Sequence, residues 1–401
     1  MKVLQLGKFY PIRGGVEKVM WYLTQGLGEA GVECDMLCAK LPADGVDFKD
    51  RLLADRGSAE TESGEFPEGS LVLRFNDKSR VICVPAKKKV SATMISRAMV
   101  RTLKKMLRKA EAEGAPYDIV HVHHPDPMAA LALRMSGFKG KVVLHWHSDI
   151  VKQKTLLRFF MPLQNWLVRR ADVVVGTSPV YVAESPHLTA AQDKLACLPI
   201  GTLPLAPDPE AVARLKAGFP GKKIVYSLGR LVEYKGYKYL VEAAKYLPDD
   251  YQVVIGGKGP LHTELEDEAH ELGVSGKVTF LGWVPDEDSA AWFGACDIFA
   301  LSSIMKTEAF AIVQVEAMSC GKPVVATRIP GSGVSWVNSD GESGINVPVE
   351  DAKALADAIV RITSDDAVYA GFAERARKRY ETMFTYPEMI RGCKEIYGKL
   401  L

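Results

Sequence analysis

The sequence lacks the features that place a chain in a bilayer or in a secretory compartment. No apolar run reaches the ~20 residues that a membrane-spanning helix needs, and the chain opens on a strand-like segment rather than a signal peptide. Its seven cysteines form no Cys-x-x-Cys pair, and most lie in apolar, strand-like runs, which is typical of buried reduced thiols. We therefore expect a cytoplasmic protein without disulfides.

Neither sign of charge dominates. The 51 lysines and arginines nearly balance the 49 aspartates and glutamates, giving a net charge of +2, and no stretch interleaves aromatic with basic side chains. Because nucleic-acid-binding proteins carry such patches, we predict no nucleic-acid partner. The rest of the composition, 47% hydrophobic and 25% charged over 401 residues, is typical of a globular protein of two or three domains.

Apolar strand patterns alternate with helical patterns along both halves of the chain. Clear strands are predicted over Lys2–Leu6, Val142–Trp146, Lys223–Gly229 and Asp297–Leu301. Such strands, separated by helices, are typical of parallel sheets covered on both faces, so we expect an α/β protein. The proline-rich segment Leu203-Pro-Leu-Ala-Pro-Asp-Pro209 is the best domain boundary, and it separates domain 1–203 from domain 204–386.

The segment after Leu301 carries two carboxylates in a pattern that suggests a ligand. Its middle is predicted to be helical, so that Glu308 and Glu316 would share one helix face with about 12 Å of axial rise between them. Open α/β sheets bind ligands at this end of their strands, and the first amides of a helix suit phosphate. Here those amides belong to Phe310, Ala311 and Ile312. A nucleotide-sugar, with hydroxyls at both ends and phosphate between them, has the matching shape.

Other loops offer further contacts to such a ligand. Arg230 and Lys235 follow a predicted strand and combine a fork-shaped donor with a point charge, which suits a diphosphate. Gly257 lies in a glycine-rich turn that is either a tight strand–helix connection or a donor contact. Gly14 and Gly15, before the first helix, allow close approach of a ligand or form a flexible turn.

The stretch from Lys78 to Lys109 holds eleven basic residues and no acidic one. It contains an apolar stripe at helical spacing, with most of the basic residues off the stripe. The stripe consists of Ile95, Met99, Leu103, Met106 and Ala110. The stretch is either a helix with a solvated basic face or a seat for anionic lipid or a lipid-linked acceptor.

Five of the eight histidines lie in two segments at predicted strand ends, His121-Val-His-His124 and His145-Trp-His147. One alternative is a metal site of a metal-dependent hydrolase, because His-x-His on a strand puts both rings on one side. The other is a set of structural histidines at buried strand ends. No spaced His-x-x-x-His or cysteine cluster supports the metal.

A longer pattern resembles a known family. The motif Glu308-x7-Glu316, followed by Ala317-Met-x-x-Gly-Lys-Pro-Val-Val-Ala326, resembles the signature of family 4 of the retaining glycosyltransferases. The resemblance runs from Leu4 to about Tyr386. Those enzymes have the GT-B fold, two Rossmann-like, doubly wound parallel-sheet domains that face each other across a cleft. One residue departs from the pattern: the family commonly has Glu-x-Phe-Gly, and Ala311 replaces that glycine.

The resemblance implies a division of labour along the chain. Domain 1–203 would be the acceptor side, domain 204–386 the nucleotide-sugar side, and a terminal helix over 387–401 would cross back to the first domain. Among the donor-side residues, Val284 would meet the nucleobase through its backbone, Glu316 the ribose and Glu308 the sugar hydroxyls. Arg230 and Lys235 would hold the diphosphate, the loop with Gly14 and Gly15 would line the cleft, and His147 would reach the transferred sugar.

The implied activity is that of a retaining, metal-independent hexosyltransferase without a cofactor. It would move a sugar from a nucleoside-diphosphate donor to a hydroxyl of a glycan or lipid-linked oligosaccharide, in bacterial polysaccharide or glycoconjugate biosynthesis. The resembled enzymes include mannosyl, rhamnosyl and glucosyl transferases, some of them peripheral on the inner face of the cytoplasmic membrane. Three alternatives stay open: a nucleotide-sugar epimerase of related fold, the metal-dependent hydrolase, and a non-catalytic nucleotide-binding protein.

Overall fold

The computed structural model of the chain describes residues 1–8, 15–41, 59–60, 65–90, 93–150 and 154–401. These residues divide into two compact units, Thr202–Thr385 and a first unit that combines Met1–Gly201 with Tyr386–Leu401. The division comes just before the proline-rich segment that the sequence suggested. Both units contain a largely parallel sheet flanked by helices, which confirms the predicted α/β class.

The first unit is built around a nine-stranded sheet of described residues, in the order β11-β10-β9-β8-β1-β2-β5-β4-β3. Its strands and those of a separate two-stranded sheet, β6 with β7, are β1 (Lys2–Leu6), β2 (Glu33–Lys40), β3 (Ala59–Glu60), β4 (Leu71–Asn76), β5 (Ser79–Pro85), β6 (Lys88–Val90), β7 (Thr93–Ile95), β8 (Ile119–His124), β9 (Lys141–Trp146), β10 (Val173–Gly176) and β11 (Leu195–Cys197). Its helices before the division are α1 (Gly15–Glu29), α2 (Arg97–Ala112), α3 (Pro127–Ser136), α4 (Lys154–Arg170) and α5 (Pro179–Ala183).

The central strands of this sheet are parallel, so their carboxyl ends meet at one edge. Strand β1 pairs with β8, which places Gln5 opposite His121, and β8 pairs with β9, which places His123 opposite His145. These strands are almost wholly buried, as expected for parallel strands covered on both faces, and in β8 the buried residues include three histidines. The histidine-rich segments therefore lie side by side at one edge, below which Gln5 projects from β1.

The second unit contains a six-stranded, wholly parallel sheet of described residues, in the order β14-β13-β12-β15-β16-β17. Its strands are β12 (Lys223–Leu228), β13 (Tyr251–Gly256), β14 (Val278–Gly282), β15 (Ile298–Leu301), β16 (Val324–Arg328) and β17 (Gly344–Pro348). Its helices are α6 (Pro209–Ala217), α7 (Tyr237–Ala243), α8 (His262–Glu271), α9 (Asp286–Ala295), α10 (Ile312–Ser319), α11 (Val334–Val337), α12 (Ala352–Thr363) and α13 (Asp366–Met383). The strand order reverses between β12 and β15, the point where open α/β sheets hold ligands.

Helix α2 carries the apolar stripe predicted from the basic stretch. It begins after Ser96, whose hydroxyl accepts a hydrogen bond from the Met99 amide at 3.0 Å. Met99, Leu103, Met106 and Ala110 are buried on one face, as the spacing predicts. Ile95, which the predicted stripe included, lies instead at the end of β7 and is half-buried, because Ser96 caps the helix after it. Among the residues that the structure covers, none of the helices combines the length and the apolar character needed to cross a bilayer.

The C-terminal helix α14 (Tyr386–Gly398) belongs to the first unit, where it packs on α1. Gly26 of α1 permits this packing, because a Cβ there would lie 2.5 Å from the Ile390 side chain. Near its end α14 buries Tyr397 completely, and the Tyr397 hydroxyl reaches Gln5 and His121. The last residues of the chain thus complete the polar interior beneath the histidines.

Candidate functional site

A buried ion pair occupies the strand-order reversal of the second unit. Lys235 Nζ lies 2.5 Å from Glu308 Oε2, and the two side chains are only 10% and 11% exposed. Ser303 Oγ donates to the same carboxylate oxygen at 3.1 Å. Burial by itself lowers the pKa of Lys235, but the Glu308 charge outweighs burial and raises the pKa above its ordinary value. The lysine is therefore a permanent cation.

The prediction that Glu308 and Glu316 share a helix face is wrong. Helix α10 begins only at Ile312, so Glu316 lies in the helix and Glu308 lies in the loop that precedes it. Tertiary hydrogen bonds hold this loop out of the helix: the Ser332 hydroxyl donates to the Glu308 carbonyl, and the Thr327 hydroxyl to the Ser303 carbonyl. The carboxylate is positioned by its contacts to neighbouring loops rather than by helical periodicity.

The amides expected at the helix start are arranged differently from the prediction. Of the three residues, only Ile312 lies in α10; Ala311 is its N-cap and Phe310 lies before it, buried against Phe384 with ring centroids 5.9 Å apart. Ala311 has φ 60° and ψ 78°, in the left-handed region that favours glycine. The glycine that the family has here would adopt this conformation without strain, and Ala311 adopts it at a cost.

Arg230 and Gly257 lie on two loops whose backbones touch. A Cβ at Gly257, which has φ 134°, would lie 1.8 Å from the Gly229 carbonyl oxygen, so only glycine fits there. The Arg230 guanidinium donates to the Tyr234 hydroxyl at 3.2 Å. Gly257 thus supports the loop that carries Arg230, and the same loop leads to Lys235. Val284 follows β14 and is 8% exposed.

Five histidines at the carboxyl ends of β8 and β9 are buried in the first unit, with exposures of 0 to 5%. Burial lowers the pKa of each one, to about 3 for His145 and about 4 for His124, and well below the ordinary value for His121, His123 and His147. All five rings are therefore neutral near pH 7. His147, the predicted sugar contact, directly follows β9, and its Nε2 lies 2.8 Å from His123 Nδ1.

Three of these rings are close enough to raise the question of a metal. His121, His123 and His145 each offer a nitrogen within 4.8 Å of the others. Every ring nitrogen of the three has a hydrogen-bond partner except His145 Nε2, which has none among the described residues. Tetrahedral zinc, with bonds of about 2.0–2.1 Å, needs nitrogens nearer to one another. The arrangement favours a hydrogen-bonded network, and the predicted lack of a metal stays a prediction.

The glycine pair before α1 is only partly within the described residues. Gly14 lies outside them, whereas Gly15 is the first residue of α1. In the first turn, Glu17 is buried and pairs with Lys8 Nζ at 2.9 Å. The role predicted for the two glycines stays a prediction.

Sequence reasoning missed the polar residues beneath the histidines. Gln5 is completely buried in β1, and Tyr397 lies 392 residues away in α14, yet their side chains form a hydrogen bond of 3.2 Å. The one available signal was a glutamine inside an otherwise apolar strand. Asp126 was missed as well; it caps α3, and burial raises its pKa to about 6.

Comparisons with known proteins decide the family. The family model "Glycosyl transferases group 1" matches residues 213–379, and "Glycosyl transferase 4-like domain" matches residues 14–201. Over 407 residues the chain is 30% identical to the O-antigen chain mannosyltransferase C of Escherichia coli, covering 100% of this chain and 99% of that one. The chain belongs to the glycosyltransferases.

Other relatives agree with this assignment. The glycosyltransferase is 28% identical over 389 residues to the D-rhamnosyltransferase WbpZ of Pseudomonas aeruginosa, covering 96% of this chain and 92% of the relative. Among solved structures, HepE from Anabaena in complex with UDP matches with a TM-score of 0.74 at 20% identity, over 100% of both chains. Sucrose-phosphate synthase from Thermosynechococcus elongatus matches with a TM-score of 0.73 at 22% identity, covering 100% of this chain and 99% of that one. These likenesses confirm the GT-B fold.

Replacing Ala311 with glycine should stabilise the glycosyltransferase. The left-handed backbone costs an alanine about 1–2 kcal/mol, and the freer unfolded chain of glycine takes back about 0.4–1 kcal/mol. We expect Ala311→Gly to raise the free energy of unfolding by up to about 1 kcal/mol in urea titrations. Ala370→Gly, at an exposed site in α13, is the control and should lower it by about 1 kcal/mol. Equal destabilisation by both variants would contradict the strained cap.

The buried histidines should make stability fall in mild acid. Their folded pKa values are depressed, so below about pH 6.5 the unfolded chain binds protons that the folded chain does not, and each histidine then removes about 1.4 kcal/mol per pH unit. Asp126, with its raised pKa, opposes one histidine between about pH 6 and 4. The free energy of unfolding, measured by urea titration, should have its full value above pH 7 and decline steeply from pH 6 to 5.

Single variants test whether this slope comes from the buried rings. His124→Asn should reduce the slope by about one proton, because one depressed histidine is lost. His270→Asn, at an exposed position in α8, should leave the slope unchanged. A slope that does not respond to His124→Asn would remove the buried histidines as its cause.

Proposed function

We propose that this glycosyltransferase moves a hexose from a nucleoside-diphosphate sugar to an acceptor hydroxyl with retention of the anomeric configuration. The observation that carries the proposal is the buried Lys235–Glu308 pair at the strand-order reversal, where Lys235 lies on the same loop as Arg230. A cation there suits a phosphate and a carboxylate suits sugar hydroxyls, so the pair matches the junction of the two in a nucleotide-sugar. The names of the relatives, a mannosyltransferase and a rhamnosyltransferase, support a hexose.

The diphosphate gains negative charge as the bond to the sugar breaks. Lys235 carries three N–H donors, of which Glu308 uses one, so two can meet phosphate oxygens. Arg230 supplies a planar fork on the same loop. The amides at the start of α10, capped by Ala311, are oriented as a helix N-terminus presents them to an anion. Stabilisation of developing charge by groups held in place before the reaction is usually the largest single contribution to catalysis.

Glu308 suits the holding of sugar hydroxyls better than attack on the anomeric carbon. Its Oε2 already receives hydrogen bonds from Lys235 and Ser303, which stabilise the carboxylate and weaken it as a nucleophile. We infer that the acceptor oxygen bonds to the anomeric carbon on the face that the phosphate leaves. The carbon–oxygen bond to phosphate breaks, and the acceptor's proton passes to the departing phosphate oxygen. The product then has the same anomeric configuration as the donor, and no covalent enzyme intermediate is formed.

Two cationic side chains also supply the charge that a divalent metal supplies in other phosphate chemistry. Arg230 and Lys235 fill that role here, and we propose that neither a metal nor a cofactor takes part. We further propose that Glu316, half-buried on α10, holds the ribose and that the backbone at Val284 meets the base. The name of the Escherichia coli relative refers to the O-antigen chain, and we propose a bacterial polysaccharide or glycoconjugate as the acceptor.

Nucleotide binding is the first test. In thermal-shift titrations with UDP, GDP, ADP and dTDP, we expect one nucleotide to bind, and its dissociation constant to rise about 10- to 100-fold in Arg230→Ala, as a lost charged hydrogen bond predicts. Arg361→Ala, at an exposed site in α12, is the control and should bind like wild type. Equal binding by Arg230→Ala would contradict the diphosphate site.

Turnover of the matching donor completes this test. With an acceptor present, NMR of the first product should give the donor's α configuration, and chelator should not change the rate. A β product would contradict retention, and inhibition by chelator would contradict the metal-free mechanism. Appearance of an isomeric sugar nucleotide without acceptor would instead identify an epimerase.

A surface of the first unit supports a second proposal, contact with an anionic lipid surface. An apolar groove between α3, α4 and the β6–β7 hairpin is lined by Val90, Leu131 and Phe159, and the Phe159 side chain is 82% exposed. Lys88 and Lys89, next to Val90 in β6, are exposed. Basic residues beside exposed apolar ones are the combination that binds anionic bilayers. We propose that this groove, with the basic stretch of α2, meets the inner face of the membrane.

Vesicle sedimentation tests this contact. The protein should sediment with vesicles containing phosphatidylglycerol and not with pure phosphatidylcholine, and Lys88→Glu/Lys89→Glu/Phe159→Ser should lose roughly ten-fold or more in binding, since each lysine near the surface contributes about 1 kcal/mol. The matched control reverses two exposed lysines and removes one exposed aromatic ring of the second unit, Lys245→Glu/Lys353→Glu/Tyr246→Ser. Binding that ignores lipid charge, or that both triple variants lose equally, would rule out this surface.

A further inference from the structure

The buried Gln5 side chain joins two chains of hydrogen bonds. Its Oε1 lies 2.7 Å from His123 Nε2, and its Nε2 lies 3.2 Å from the Tyr397 hydroxyl and 3.9 Å from Cys34 Sγ. The two ends of one amide therefore meet two different sets of histidines. An amide oxygen only accepts hydrogen bonds and an amide nitrogen only donates them, so the direction of each bond is determined.

The first chain runs from the amide oxygen to His147. Because Gln5 Oε1 can only accept, His123 must donate from Nε2. A neutral imidazole has one N–H, so His123 Nδ1 is an acceptor, and the Nε2 of His147, 2.8 Å away, must donate to it. The proton of His147 is then on Nε2, and its Nδ1 carries a lone pair.

The second chain runs from the amide nitrogen to His145. Gln5 Nε2 donates to the Tyr397 oxygen, and the Tyr397 O–H donates to His121 Nδ1 at 2.6 Å. His121 must then carry its proton on Nε2, which lies 3.2 Å from His145 Nδ1 and donates to it. Cys393 also interacts with Tyr397, but a thiol is a weak partner beside an imidazole nitrogen. His145 is left with its proton on Nε2.

Reversing the Gln5 amide would reverse every bond in both chains. All four rings would then carry the proton on Nδ1, and the two ends would exchange their donor and acceptor characters. We propose that Gln5 is a positioning residue that fixes the tautomers of these four histidines, so that His147 presents an acceptor at Nδ1 and His145 a donor at Nε2. The four rings are His121, His123, His145 and His147.

The two ends of the chains lie next to each other. The rings of His145 and His147 stack with centroids 4.0 Å apart and an angle of 15°. His145 Nε2 is buried without a partner among the described residues, which would cost about 1–3 kcal/mol unless an oxygen of water or ligand meets it. A hydroxyl both donates and accepts, so an acceptor beside a donor suits one. That this hydroxyl belongs to a sugar rests on the proposed function, whereas the tautomers do not.

Histidine tautomers can be measured directly. In long-range 1H–15N spectra of the full chain labelled with [15N]histidine and assigned with single histidine variants, we expect all four rings in the neutral form with the proton on Nε2. A proton on Nδ1 in any of the four rings would overturn the proposal. The readout needs neither substrate nor activity.

Two variants separate the two chains. Gln5→Met, of similar size, removes both anchors, so His147 should show a measurable population with the proton on Nδ1. Tyr397→Phe interrupts only the second chain, so His121 and His145 should change while His123 and His147 keep their protons on Nε2. If both variants leave all four rings unchanged, Gln5 does not set the tautomers. If Gln5→Met does not fold, the tautomers measured in the wild type and in Tyr397→Phe still test the proposal.

Kinetics then distinguish failure of the inference from failure of the proposed function. We expect Gln5→Met to lower kcat/KM for transfer about ten-fold at unchanged nucleotide affinity, and Tyr397→Phe to lower it less, because its chain to His147 is intact. Predicted tautomers without transferase activity would contradict the proposed function alone. Activity that is unchanged in Gln5→Met, with His147 protonated on Nδ1, would remove the tautomer from the reaction.

Discussion

The second unit depends on an electrostatic constraint, the burial of one positive and one negative side chain within 2.5 Å of each other. Removing each charge from water is unfavourable, and losing either one leaves the other uncompensated, at a cost of about 3–5 kcal/mol. Lys235 and Glu308 lie on loops after adjacent strands, so their pairing fixes those loops relative to each other. The hydroxyls of Ser303 and Ser332 add to this, the first on the carboxylate and the second on the Glu308 backbone. The contacts that stabilise the buried charges therefore also hold the candidate site in one geometry.

The polar interior of the first unit is uncharged, in contrast to the ion pair of the second. Its interior at the strand ends holds five rings that burial keeps neutral, and polarity there is directional rather than ionic. A neutral ring can donate at one nitrogen and accept at the other, which suits hydroxyls, whereas a fixed cation suits phosphate. The two polar interiors therefore differ in chemistry: the first offers neutral donors and acceptors, and the second a fixed cation.

How much the sequence could predict depended on how local the determining interactions are. Strands β1, β9, β12 and β15, most of the stripe of α2 and the family motif are local patterns, and they were found, whereas β4 to β7 lie in segments for which no strand was predicted. The position of Glu308 was not, because helical spacing continued past the point where contacts from Ser332 and Thr327 hold the chain in a loop. Gln5 stood out only as a polar residue in an apolar strand, and nothing in the sequence pointed to Tyr397 as its partner, since the pair joins opposite ends of the chain through the packing of α14 on α1.

Ala311 shows that tertiary contacts, rather than local sequence preference, set the backbone of the loop before α10. An alanine in the left-handed region is strained, and nothing in its own side chain favours that conformation. The loop on either side is held by other residues: the Gly333 amide donates to the Ala309 carbonyl, and the Gln314 amide donates to the carbonyl of Ala311 itself. The surroundings therefore impose the backbone, and the residue tolerates it. Strain of this kind persists only where the surrounding structure imposes it, and here it lies between Glu308 and the first turn of α10.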